Sequence, residues 1–154
     1  MKILLSGYNG NLGKEFLKFT KKKNITLFDV DITNRKKVFI KIESEKFDTF
    51  IHFAAVVAIK EVDHKRKKAM NVNYNGTKNI IDAINKYHST NNIWFFFSST
   101  SHIYKLNFNN KKMKESDPCK PISFYGKTKL LAENYILKKA NKNLRICIGR
   151  IFSF

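Results

Sequence analysis

The sequence predicts an α/β fold of three layers, α/β/α, built on a doubly wound parallel sheet. Three observations predict it. Five short apolar runs alternate with longer amphipathic stretches along the 154 residues. The runs are apolar at consecutive rather than alternate positions, which marks strands buried on both faces. The intervening stretches are long enough for crossover helices, and right-handed crossovers pack helices on both sides of such a sheet.

Residues 2–6 read as the first buried strand. Residues 12–22 follow as a helix, with Leu12, Phe16, Leu17 and Phe19 near helical spacing. Residues 25–29 form a second strand. Thr33 reads as the N-cap of a helix running to about residue 45, with Val38, Ile42 and Phe39 inward. Residues 49–53 are a third strand. Residues 69–87 read as one long helix with Val72, Thr77, Ile80, Ile81 and Ile84 on its apolar side. Residues 93–97 are the most apolar strand. Residues 123–139 are a last helix, with Leu130, Leu131, Tyr135 and Ile136 on one side, and residues 144–148 close the pattern as a strand. The order β-α-β-α-β-α-β-α-β is that of a Rossmann-like sheet in a single domain.

Composition narrows the function classes. The formal net charge is +18, which raises nucleic acid or an anionic membrane as partners. The basic residues are scattered in short runs such as Lys65-Arg66-Lys67-Lys68 and Lys138-Lys139, the pattern of solvated helix faces. No nucleic-acid motif accompanies them, so neither nucleic acid nor membrane is expected as a partner. No stretch is long and apolar enough to span a bilayer or form a signal-peptide core. Two cysteines, Cys119 in a loop and Cys147 in a strand, make neither a disulfide framework nor a set of metal ligands. A cytoplasmic protein with reduced thiols and no metal is the expectation.

The loop Gly7-Tyr8-Asn9-Gly10-Asn11-Leu12-Gly13 follows the first strand and opens the first helix. In that context Gly7 permits the tight turn, Gly10 lets the backbone approach a pyrophosphate, and Gly13 lets helix and strand pack closely. The helix start adds free N–H groups and the positive end of its dipole. A plain strand–helix turn is the alternative. Asp29, at the end of the second strand, is either a ribose-binding carboxylate that favours NAD over NADP or a strand-end carboxylate facing water.

Tyr125-x-x-x-Lys129 lies on the last helix, and residues four apart share a face. A nearby ammonium favours tyrosinate and would lower the tyrosine pKa towards useful acid–base chemistry. The preceding strand runs into Ser98-Ser99-Thr100-Ser101, at the strand end where such folds bind ligands. An ST-turn is the local alternative there.

Taken in order, the glycine loop, Asp31-Ile32-Thr33, His52–Ala55 (HFAA), NVNYNGT, SST and Tyr-x-x-x-Lys resemble the extended short-chain dehydrogenase/reductase superfamily, the NAD-dependent epimerase/dehydratase family. The glycine loop is most similar to that of dTDP-4-dehydrorhamnose reductases. The resemblance implies a nucleotide-sugar substrate and an NAD cofactor, with NADP as the alternative. It implies Thr100, Tyr125 and Lys129 as catalytic residues. It places the cofactor against the glycine loop, Asp31, Ile32, Phe53, Ala54, Ala55, Asn73 and Ser98, with Tyr125 and Lys129 at the nicotinamide end. Asn73 would also stabilise the active-site architecture, whereas His52 reads as a packed residue. A homodimer through a four-helix bundle that includes the tyrosine helix is implied as well. Members extend well beyond the strand matched by "LRICIGRIFSF", so the chain reads as the cofactor half without the substrate lobe. Epimerase and reductase chemistry stay open; Ser101-His102 after Thr100 disfavours a dehydratase. A non-catalytic dinucleotide-binding module is the competing reading.

Overall fold

A computed structural model describes residues 1–20, 23–105 and 112–152, with the side chains of all of these except 59–61. Five parallel strands, β1 (Ile3–Ser6), β2 (Ile25–Leu27), β3 (Thr49–His52), β4 (Ile93–Thr100) and β5 (Leu144–Ile151), form one sheet in the order β2-β1-β3-β4-β5. The chain steps outward from β1 to β2 and then crosses back to β3 on the other side. The C-terminal ends of β1 and β3 therefore flank the switch point where open α/β sheets form a ligand crevice.

The helices are α1 (Asn11–Phe19), α2 (Arg35–Ser44), α3 (Ile59–His64), α4 (Arg66–Met70), α5 (Thr77–Tyr87) and α6 (Phe124–Lys139). A π-helical turn, Asn71–Gly76, joins α4 to α5, and a 3-10 turn, Ser101–Ile103, follows β4. One sheet face, carrying Leu4, Phe50, Phe95 and Phe97, packs on Val38 and Ile42 of α2, Ile80 and Ile84 of α5, and Ala132 and Ile136 of α6. The other face, carrying Ile3, Leu5 and Ile51, packs on Phe16 and Leu17 of α1. The helix layers are thus unequal. Trp94, on the α1 face of β4, is 39% exposed.

The structure corrects several local expectations. The first helix keeps Phe16 and Leu17 inward, but Leu12 is exposed at its start and Phe19 at its end; its expected end at residue 22 lies outside the described residues. Strand β2 is shorter than expected, at the sheet edge, while β4 and β5 run on to Thr100 and Ile151. Asn34, not Thr33, caps α2: its side chain accepts from the Lys37 N–H at 3.1 Å. Thr33 instead donates its hydroxyl to Asp31 at 2.8 Å. Replacing Asn34 by Ala should therefore cost about 1 kcal/mol in urea denaturation, whereas Thr33→Ala should leave the helix start intact. The single helix expected over 69–87 is interrupted by the π turn. The buried side of α6 is Tyr125, Gly126, Thr128, Lys129, Ala132, Glu133 and Ile136, while Leu131 points outward at 42% exposure.

Candidate active site

The glycine loop sits at the switch point. Gly7 has φ +74, and a Cβ there would overlap the Phe53–Ala54 backbone just after β3. Gly13 is buried against the turn, where a Cβ would overlap the Tyr8 backbone. These two glycines are needed by the fold itself. Gly10 differs: a Cβ there would meet only the Gly7 carbonyl, at 3.4 Å. Gly10 is also the N-cap of α1 without a side-chain cap, and no acidic residue occupies the first turn. The first N–H groups of α1 are thus left for an outside acceptor, as an anion site requires.

A cleft of about 300 Å³ opens beside this loop, lined by Gly7, Gly10, Val30, Asp31, Ile32, Phe53, Ala54, Ala55 and Val72. It brings together residues expected at the cofactor from three separate strand ends. Tyr8 is half-buried against the α1-side core, and Asn9, Asn11 and Leu12 are exposed around the loop. Ile32 is buried, and its side chain lies where a Cβ on Gly76 would go. That contact explains the glycine of "NVNYNGT". Asp31 caps its own turn, accepting from the Thr33 N–H at 2.9 Å.

Asp29 is neither a free carboxylate nor simply hydrated. Its side chain is 59% exposed and lies 3.2 Å from Lys41 Nζ, which also pairs with Glu45 at 3.0 Å. The hydrogen bond from Lys41 holds the Asp29 carboxyl below its ordinary range. Any ligand at Asp29 also meets the Lys41 ammonium.

Thr100, Tyr125 and Lys129 come together at the end of β4 and are all buried. The Ser123 side chain caps α6 by accepting from the Gly126 N–H at 3.0 Å. Gly126 lets that first turn press on the backbone of His102, where a Cβ would overlap the carbonyl. The Tyr125 hydroxyl faces the Thr100 side chain, which favours its ionised form, and Thr100 accepts from the His102 N–H at 3.2 Å. The ST-turn and the tyrosine partner are therefore the same residue. Ser98 is buried one pair of residues earlier.

The electrostatics reverse one expectation. Burial pushes the Tyr125 phenol above its ordinary value, and the Thr100 hydrogen bond only partly offsets it. Burial also lowers Lys129 to about 7, with Glu133 pulling the other way. The lysine Nζ lies 4.4 Å from the Phe97 ring centre. In this dry setting desolvation outweighs the pairing that would have favoured tyrosinate.

The sequence reading missed a buried ion pair beside the trio. Glu133, 1% exposed, pairs with Arg150 Nη2 at 3.0 Å and accepts from the Ser99 hydroxyl. Arg150 also donates to the Tyr104 hydroxyl at 2.7 Å and to the Glu115 carbonyl at 2.9 Å. Spacing gave one clue, since Glu133 stands four residues after Lys129 on the same helix face. Among the described residues, three larger clefts, of about 440 Å³ beside Arg150, about 670 Å³ between Arg66 and Phe124 and about 450 Å³ between Tyr74 and Tyr135, lie away from the glycine loop. The smaller cleft is the better candidate because donors, glycines and strand ends converge there. Among the described residues no cluster of His, Cys, Asp and Glu suits a metal ion, and no helix is long and apolar enough to cross a membrane.

Fold and site define a Rossmann-like α/β protein with a glycine-loop crevice and a Tyr-x-x-x-Lys helix beside it. The chain belongs to the RmlD substrate binding domain family, which matches residues 1–153, within the extended short-chain dehydrogenases/reductases. It is 26% identical over 149 residues to a dTDP-4-dehydrorhamnose reductase of Aggregatibacter actinomycetemcomitans, covering 93% of this chain and 49% of that protein. It is 30% identical over 136 residues to a UDP-glucose 4-epimerase of Schizosaccharomyces pombe, covering 85% and 38%. The crystal structure of a dTDP-4-dehydrorhamnose reductase from Bacillus anthracis in complex with NADP superposes with a TM-score of 0.85 at 24% identity, over 99% of this chain and 54% of that one. The chain therefore spans between 38% and 54% of the length of these relatives.

Proposed function

We propose that this chain is the dinucleotide-binding and proton-transferring part of a nucleotide-sugar reductase or epimerase. The observation that carries the reading is the cleft at the switch point, where Gly7, Gly10, Asp31, Ile32, Phe53, Ala54 and Ala55 converge beside the uncapped start of α1. The glycine loop and the α1 N–H groups would hold the pyrophosphate. Asp31 and Ile32 would border the adenine, and Asp29 with Lys41 the ribose. NAD is the expected cofactor; Lys41 so near Asp29 leaves room for the extra phosphate of NADP. Bound there, the cofactor supplies a hydride. Thr100 would hold the reacting oxygen of the sugar while Tyr125 donates or accepts its proton. With its pKa raised, Tyr125 is a proton donor at neutral pH, the form needed to reduce a carbonyl. Lys129 would bond the nicotinamide ribose and replenish the proton. Self-association through α6 belongs to the same reading, supported by outward Leu131 and Leu137, 42% and 55% exposed.

The test is a fluorescence titration with NADH and NADPH, followed by an assay on dTDP- and UDP-sugars. Binding with turnover supports the enzyme; binding without turnover leaves a dinucleotide-binding module. Gly10→Ala separates ligand from fold. Because a Cβ is accommodated there, the variant should keep its circular dichroism and melting temperature. Its dinucleotide affinity should fall at least about tenfold, the cost of about 1.4 kcal/mol of lost contact. Unchanged affinity would remove the pyrophosphate cradle from the proposal.

A further inference from the structure

Five buried polar side chains lie between the glycine loop and the tyrosine helix: Ser6, His52, Asn73, Thr77 and Thr128, none more than 1% exposed. Their hydrogen bonds have defined directions. Thr77 spends its only hydroxyl proton on the Asn73 carbonyl, at 2.8 Å. It must therefore accept from His52 Nε2, 2.9 Å away. The proton is thus on Nε2, and Nδ1 accepts from the Ser6 hydroxyl at 2.6 Å. Burial keeps this ring neutral by lowering its pKa to about 3.

The chain of bonds continues from the other end of Asn73. Its amide nitrogen donates to the Val56 carbonyl and to Thr128 Oγ1, both at 3.0 Å. Its oxygen accepts from the Val56 N–H at 2.8 Å. Thr128 then passes its own proton to the Tyr125 carbonyl, at 2.8 Å. One directed path thus leads from Ser6, the residue before Gly7, to the backbone of Tyr125. It crosses β1, β3, the π turn and α6, elements far apart in sequence. The wide π turn sits where Asn73 reaches both ways; such turns recur at functional sites. Every donor on the path has an acceptor, so a shift at one end leaves a buried group unpaired unless the other end follows.

We propose that His52 and Thr77 are positioning residues that couple occupancy of the glycine-loop cleft to the order of the Tyr125 end of α6. Its ligand arm rests on the dinucleotide reading above; its ligand-free arm does not. Hydrogen exchange read by mass spectrometry, on the chain and on the Thr77→Val and Thr77→Ser variants, tests it. Without ligand, Thr77→Val should speed exchange at residues 124–129 at least threefold while residues 144–148 exchange as in wild type, and Thr77→Ser should restore it. Equal acceleration in both segments, or none, would overturn the coupling, since a merely structural hydroxyl loosens the fold as a whole. With NADH or NADPH, whichever the wild type binds, wild type should gain protection at both 7–13 and 124–129, and Thr77→Val only at 7–13. Protection of both segments in that variant would also overturn it. Absence of any effect of either NADH or NADPH in wild type would count against the dinucleotide reading, and the ligand-free arm would still decide the coupling.

Discussion

Replacing Arg150 by Met should lower stability by about 3–5 kcal/mol, the cost of leaving a buried charge without its partner. Glu133 is sealed between α6 and the sheet, and the Arg150 guanidinium is its counter-ion. Without it, the carboxylate keeps only the Ser99 hydroxyl and the more distant Lys129. The loss reaches further, because the same guanidinium ties Tyr104 and the Glu115 carbonyl to β5. Tyr104 directly follows the turn after Thr100, and Glu115 lies on the segment that leads towards α6. Glu133→Leu in the Arg150→Met background should recover most of the loss, since matched apolar groups replace buried pairs at little cost. Urea denaturation of the single and double variants gives both numbers. A single variant within 1 kcal/mol of wild type would show that water reaches Glu133 and that the pair is not sealed.

Sequence legibility followed the kind of physics involved. Strand runs and the glycine loop were readable because they are local: apolar continuity and residues without Cβ leave direct marks. The Tyr125–Lys129 face was readable from spacing four. The Glu133–Arg150 pair was not, since its partners stand on different elements and α6 buries its polar side. An apolar-stripe reading of that helix placed Leu131 inward, where the structure puts Lys129 and Glu133 instead. The Asn34 cap is masked in the sequence by the adjacent Thr33, which also belongs to the residue types that cap helices. The turn of Asp31 decides it by taking the Thr33 hydroxyl. The π turn had no signal, because it exists to let Asn73 reach Val56 and Thr128 across the fold. Tyr125 shows the same division. Its position was legible, but its proton affinity depends on burial, which pairwise spacing does not report.

Stability should keep rising as the pH is raised from neutral towards 10, and Lys129 should account for it. The folded state holds this lysine near 7, against about 10.5 for the exposed side chain. Below pH 7 both states carry the proton, and the folded state bears the full burial cost. Between 7 and 10.5 only the unfolded chain binds the proton, so stability climbs with pH, by up to about 1.4 kcal/mol per unit. Between pH 7 and 9 the gain should be about 2 kcal/mol. His52 works in the same direction in a lower window. Its folded value of about 3 lies below the ordinary 6.5 of an exposed imidazole, so its contribution is complete above 6.5 and declines as the pH falls towards 3. From pH 7 to 5 that loss should also be about 2 kcal/mol. Denaturant titrations at several pH values separate the two groups. Lys129→Met should flatten the curve above pH 7; because the Lys129 charge also helps to lower His52, the acid limb should still begin near 6.5 but end at a higher pH than in wild type. A wild-type curve already flat from pH 7 to 9 would mean that Lys129 stays protonated in the fold. The tyrosine helix would then carry a fixed ammonium at neutral pH, and Tyr125 would be nearer its ordinary acidity than its burial implies.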